Sequence, residues 1–262
     1  MSLAAVTLPT DRGTIMQRSV LWVLGLFLLG PFPAAAEGPQ LPDLSDRIEA
    51  FQEQRAAEGD SKLSPADRKA LDRAMAQVRA ELPDPGLAVG DEAPEFTLPN
   101  AFGEPVSLAD QLAQGPVVLT FYRGAWCPYC NLELKALQES LSAFRDHGAS
   151  VLAVSPQKPG KSLEQVREDG FPFEILSDLD NRVMKGYRLF FRVPEGMVRV
   201  YREKLGLDLA DYNGDGRYVL PVPATFVIDR EGVIRAAFAK VDYNKRMEPA
   251  AILEALRQLP KP

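Results

Sequence analysis

Two cysteines, Cys127 and Cys130, stand three residues apart in the segment Phe121-Tyr122-Arg123-Gly124-Ala125-Trp126-Cys127-Pro128-Tyr129-Cys130. Residues at this spacing share one face of a helix, so the two sulfurs lie near enough to bridge. A bridge closing so short a loop removes little chain entropy, because the stabilisation grows with loop length. Redox chemistry accounts for the spacing where stability does not. Cys127 falls at the start of the helix expected there, where free N–H groups and the helix dipole favour a thiolate. That lowers its pKa toward the range in which it is nucleophilic at neutral pH. Cys130, one turn in, is the shielded, resolving thiol. Pro128 suits the first helical turn and stiffens the loop.

Other chemistry finds little support. Two Cys and one His cannot supply four ligands to a zinc ion, which leaves at most a carboxylate-assisted site; neither a metal nor a cofactor is expected. Asp211, Asn213, Asp215 and Gly216 imitate the first half of a calcium loop, but its twelfth position is Val222, where a bidentate Glu is required. His147 ends the helix that follows the dithiol, about 25 Å from Cys127 at 1.5 Å per residue, too far to serve it as a base.

The elements that must position the dithiol are legible from the hydrophobic pattern. Val117–Tyr122 is an apolar run suited to a buried strand, and Leu134, Leu137, Leu141 and Phe144 keep helical spacing after it. Strands follow at Ser150–Val154 and Phe173–Leu176, with helices at Leu163–Asp169 and around Asp178–Leu189. Thr225–Asp229 and Val233–Phe238 flank a turn at Arg230-Glu231-Gly232, and Ile252, Leu253, Leu256 and Leu259 mark a closing helix. Strands separated by helices, then a hairpin and a helix, predict an α/β domain of three layers with a central mixed sheet, spanning residues 87–262. The stretch from Arg192 to Pro221 is longer than an ordinary connection and is expected to form a lid beside the dithiol.

Residues 37–86 read as a helical extension. Leu44, Ile48 and Phe51 mark one stripe; Ser64-Pro65-Ala66-Asp67 opens a second helix with Leu71, Met75, Val78 and Leu82. The extension packs on the main domain, or alternatively serves as an arm joining a homodimer. The 262-residue chain is 46% hydrophobic and 25% charged, a globular composition. Its formal charge of −6 argues against a nucleic-acid surface, which wants a basic face.

Residues 1–36 have the layout of a secretory signal peptide. Arg12 and Arg18 precede an uncharged run from Val20 to Leu29, followed by Gly30, Pro31, Pro33 and Ala34-Ala35-Ala36. Ten apolar residues fall short of the roughly 20 that cross a bilayer, which sets an uncleaved membrane anchor second. The expected location is periplasmic or secreted, where disulfides persist unless reduced.

With these residues in hand, the chain resembles the peroxiredoxin-like proteins of the alkyl hydroperoxide reductase/thiol-specific antioxidant family, within the thioredoxin-fold superfamily. The likeness runs from about Val89 to Leu259. It rests on Val89-Gly90-Asp91-Glu92-Ala93-Pro94-Glu95-Phe96-Thr97-Leu98, similar to the family's opening strand, on Trp-Cys-Pro-Tyr-Cys, and on Val222-Pro223-Ala224-Thr225-Phe226-Val227-Ile228-Asp229. The resemblance implies a thioredoxin-like fold in which Pro223 takes the place of a cis-proline facing the dithiol. The family's Thr or Ser three residues before the peroxidatic Cys is Gly124 here, its Pro seven before is Thr120, and its catalytic Arg is replaced by Pro223. Arg123, with Trp126 and the N–H groups up to Tyr129, is left to supply donors.

Two activities follow as expectations. In the first, a thiol peroxidase reduces hydrogen peroxide or organic hydroperoxides: Cys127 becomes a sulfenic acid, Cys130 condenses with it, and a thioredoxin-like dithiol recycles the disulfide. The alternative is an exported thiol–disulfide oxidoreductase acting on protein cysteines. The export reading also predicts a mature protein beginning at Glu37. Intact-mass analysis after expression in an exporting host checks it, and a mass retaining residues 1–36 would refute cleavage.

Overall fold

The computed structural model describes residues 41–57 and 63–260; the expected signal peptide lies outside them. Two helices come first, α1 (Leu44–Ala57) and α2 (Pro65–Glu81). α2 starts where its sequence directs: Ser64 Oγ accepts from the Asp67 amide and the Asp67 carboxylate accepts from the Ser64 amide, a closed capping box with Pro65 in the first turn. The chain continues through β1 (Thr97–Pro99), β2 (Pro105–Ser107), α3 (Leu108–Gln114), β3 (Val117–Phe121), α4 (Pro128–Arg145), β4 (Ser150–Ser155) and α5 (Pro159–Asp169). It then runs through β5 (Glu174–Ser177), α6 (Arg182–Gly186), β6 (Phe190–Arg192), α7 (Glu195–Leu205) and α8 (Leu209–Asn213). β7 (Val219–Pro221), β8 (Ala224–Ile228), β9 (Ile234–Ala239) and α9 (Pro249–Arg257) complete it.

The central sheet has the order β5-β4-β3-β8-β9. β3, β4 and β5 are parallel, and β8 runs antiparallel to both of its neighbours, β3 and β9, so the sheet is mixed as expected. All five residues of β3 are buried, because both faces of this central strand are covered. On one face Val118, Val151 and Val227 pack against Leu137, Leu141 and Phe144 of α4 and Ile252, Leu253 and Leu256 of α9. On the other, Leu119, Phe121, Leu152, Phe226 and Ile228 meet Val78 of α2, Leu108 of α3, Tyr187 at the end of α6 and Met197 of α7. Each fully buried aliphatic side chain contributes about 2 kcal/mol of transfer free energy.

The N-terminal helices pack on their own chain. Leu44 and Ile48 pack on Ala136 of α4, Arg47 forms an ion pair with Glu139 at 2.7 Å, and the Glu248 carboxylate accepts from the amides of Leu44 and Ser45 at 2.9 Å.

Three expectations need correction. The opening strand over 89–98 is reduced to Thr97–Pro99, paired with β2 outside the main sheet; a turn at Gly90, with φ of 95°, and Pro94 interrupt the rest. The helix around 178–189 shrinks to Arg182–Gly186, bounded by Asn181 and Arg188, both of positive φ. Pro223 follows a trans peptide bond, and the described residues contain no cis bond. The Val222 amide donates to Leu189 O at 2.8 Å, so the chain passes from β7 into β8 in extended form. The trans isomer, favoured by about 0.5–1 kcal/mol, suits that path.

Candidate active site

β3 ends at Phe121 and α4 begins at Pro128, so the six residues between must turn at the sheet's edge. Side chains hold that turn. Gln157 Oε1 accepts from the Ala125 amide at 3.0 Å, and Asn131 Nδ2 donates to Ala125 O at 2.8 Å. Gln157 Nε2 donates to Tyr122 Oη at 3.1 Å, and the Tyr122 hydroxyl donates to Gln165 Oε1 at 2.9 Å.

Cys127 is the N-cap of α4, and its carbonyl accepts from the amides of Cys130 and Asn131 at 3.1 Å. The two sulfurs are 2.9 Å apart, with the Cys130 thiol donating to Cys127. Both thiols are free, and they are only 1% and 0% exposed. Burial opposes ionisation of Cys127, but the hydrogen bond from Cys130 and the charges of Arg123 and Arg246 outweigh it, lowering the thiol to about 6. Burial, together with the bond it donates, pushes Cys130 well above its ordinary value.

The two guanidinium groups come from different segments of the chain. Arg123, on the turn, is 5% exposed; it donates to Tyr201 Oη and lies 4.8 Å from the Trp126 ring centroid and 4.5 Å from that of Tyr243. Arg246, on the loop after β9, places Nη2 3.5 Å from Cys130 Sγ and Nε 2.6 Å from Glu133 Oε2. Glu133 is 1% exposed, and burial raises its carboxyl to about 7 against the pull of Arg246. Its Oε1 accepts from Thr225 at 3.1 Å and Thr120 at 3.4 Å, hydroxyls that sit side by side across β3 and β8.

Arg123, Trp126, Cys127 and Cys130 thus converge. Pro223 is buried just past the last β8 residue paired with β3, at the end of the sheet where the turn lies. His147 stands beyond the far end of α4. Asn213 of the calcium-like stretch turns inward, donating to Val219 O at 3.0 Å. Glu133, Tyr201, Tyr243 and Arg246 went unread in the sequence. Arg246 and Cys130 are 116 residues apart and share no local pattern; Tyr201 could have been found on the buried stripe Met197, Val200 and Tyr201 of α7. An open groove of about 1650 Å³ reaches Cys127 past Met75, Arg123, Trp126, Tyr201 and Leu207. It lies between α2 and α7, so the 192–221 stretch does border the dithiol.

Gly124 has a steric reason to be glycine. Its φ is 145°, and a Cβ there would stand 2.6 Å from Trp126 Nε1 and 2.9 Å from Trp126 Cδ1. The Thr or Ser of the resembled family does not fit while the indole holds this place.

Comparison with known proteins shows the family of the chain. A model of the AhpC/TSA family matches residues 89–237. A putative peroxiredoxin of Mycobacterium tuberculosis is 33% identical over 136 residues, covering 48% of this chain and 86% of that protein. The thiol-disulfide oxidoreductase ResA of Geobacillus kaustophilus is 28% identical over 167 residues, covering 62% and 78%. Among solved structures, peroxidoxin BcpB of Mycobacterium tuberculosis superposes with a TM-score of 0.52 at 24% identity, over 66% of this chain and 99% of that one, a likeness of fold alone.

Two predictions follow from the site. Alkylation of Cys127 by iodoacetamide, read by peptide mass spectrometry, should be half-maximal near pH 6, against about 8.5 for a free thiol. Arg123→Met should move that midpoint upward by roughly a unit. Because the folded thiol is depressed, its stabilising contribution is full above the unfolded value and fades as pH falls through about 6. The Tm of the reduced protein should fall over that window relative to Cys127→Ser. Gly124→Ala should displace Trp126 and cost about 1–3 kcal/mol, since both the φ and the contact are strained; urea unfolding with tryptophan fluorescence measures it.

Proposed function

The chain belongs to the AhpC/TSA family, and from that premise we propose that it is a thiol-dependent peroxidase using the Cys127–Cys130 pair. The observation that carries the reading is Cys127 with two buried guanidinium groups holding its thiol low, 1% exposed yet bordering an open groove. Such a sulfur is reached by a small reactant more readily than by a disulfide on a folded client.

The Cys127 thiolate attacks one peroxide oxygen, an S–O bond forms as the O–O bond breaks, and the second oxygen leaves with a proton as water or alcohol. Cys127 is then a sulfenic acid. Cys130 gives up its proton and attacks Cys127 sulfur; the S–O bond breaks, water leaves and the disulfide forms. The starting separation of 2.9 Å needs little movement for this step. A dithiol of thioredoxin type would then reduce the disulfide by exchange. On the export reading of residues 1–36 that reductant works outside the cytoplasm.

Thiol–disulfide exchange remains the second reading. The dithiol, glycine at position 124 and the likeness to ResA favour it.

The two cysteines separate the readings. Cys127→Ser should abolish either activity. In Cys130→Ser, low-micromolar hydrogen peroxide should convert Cys127 to a sulfenic acid within seconds, detected as a dimedone adduct by mass. Peroxide reactivity no faster than that of free cysteine, with mixed disulfides accumulating on client proteins, would favour exchange instead.

A further inference from the structure

We propose that Tyr201 is a catalytic residue, its hydroxyl donating the hydrogen bond, and then the proton, that the leaving peroxide oxygen requires. The inference rests on the peroxidase reading above. A thiolate alone reacts slowly with peroxide, and a fast reaction needs donors aimed at the oxygen on which charge develops. Neither Gly124 nor Pro223 can donate from a side chain, so the donor must come from elsewhere.

α7 supplies it. Met197, Val200 and Tyr201 form the buried stripe of this helix, which carries the phenol to the groove that Cys127 borders. The Tyr201 ring packs 5.9 Å from that of Trp126, and its oxygen accepts from Arg123 Nη2. A phenol that accepts one hydrogen bond still has its own proton to give. Among the described residues no acceptor takes that proton. Tyr201 therefore presents a donor to the groove while Arg123 fixes its oxygen. The Trp126 indole N–H beside it is also buried without a partner among these residues. A peroxide oxygen can accept from such groups.

The step balances. The Cys127 thiolate supplies an electron pair to one oxygen, the O–O pair departs with the other, and that hydroxide or alkoxide takes the Tyr201 proton. The product is water or alcohol, and the phenolate is reprotonated through the groove by hydronium or a buffer acid of the solvent, the net source of the proton. Hydroxide and alkoxide are far stronger bases than a phenolate, so the transfer runs downhill even though burial raises the Tyr201 hydroxyl above its ordinary value.

Tyr201→Phe keeps the ring and removes the donor. In stopped-flow measurements of sulfenic acid formation, the variant should react with hydrogen peroxide roughly tenfold to a hundredfold more slowly than the unaltered protein. Alkylation of Cys127 by iodoacetamide, which needs the thiolate but no donor on oxygen, should change less than about twofold at pH 7. That second rate also shows that the variant's site is assembled. Equal peroxide rates in the two proteins overturn the role of Tyr201 alone. A parallel fall in both rates also overturns it, since Tyr201 would then act only on the thiolate through Arg123. An unaltered protein no faster than free cysteine overturns the peroxidase reading and this role with it.

Discussion

Charge balance among four buried groups governs the site. Arg123 and Arg246 bring two cations into positions only 5% and 7% exposed. Glu133 can answer one of them, and the Cys127 thiolate answers the other. An uncompensated buried charge costs several kcal/mol, so the low thiol pKa follows from the arrangement of arginines. Oxidation of Cys127 to a neutral sulfenic acid removes one negative charge and leaves a guanidinium without its partner. The nearest group able to restore it is Cys130, with Arg246 already 3.5 Å from its sulfur. The imbalance that the first step creates is thus relieved by the second.

Such a balance works only if the groups cannot drift, and the fold supplies that rigidity. The turn carrying Arg123 and Cys127 hangs between the end of β3 and the start of α4, tied to Gln157 and Asn131. Glu133 is fixed from below by Thr120 and Thr225, direct partners across β3 and β8. A polar pair in the middle of a buried sheet would be costly without hydrogen-bond partners. The carboxylate therefore satisfies the strands while the strands aim the carboxylate.

What was legible in the sequence is what is local. Cys127, Cys130 and the strand-to-helix context lie within a few residues of one another, and the periodicities on either side announce their elements. Arg123 was visible for the same reason. Arg246 and Tyr201 reach the site through tertiary packing, 116 residues from Cys130 and 78 from Arg123, and a single sequence carries no pattern joining such pairs. Glu133 lies three residues past Cys130 on α4, but its partners Thr120, Thr225 and Arg246 come from other elements. The cis bond that the resemblance implies at Pro223 depends on the backbone around the proline, and here the Val222 amide bonded to Leu189 O carries the chain into β8 extended. The overlong helix at 178–189 has a different cause. Apolar spacing there was sound, but Asp178 accepts from the Met184 amide at 2.8 Å and Arg188 turns to positive φ, and side-chain capping and backbone reversal leave no trace in periodicity.

The indole of Trp126 explains why the site depends on distant residues at all. It occupies the space that a Cβ at position 124 would need, which leaves the turn without the hydroxyl that the resembled family keeps there. In exchange the indole forms a wall against which Arg123 lies flat, 4.8 Å from the ring centroid, and against which Tyr201 packs. A donor too large for the turn can stand across the groove on another element, provided that element is anchored. α7 meets this condition because Met197 and Val200 are buried on the same face that presents Tyr201. The long connection between β6 and β7 is the segment that carries this helix to the groove beside the indole.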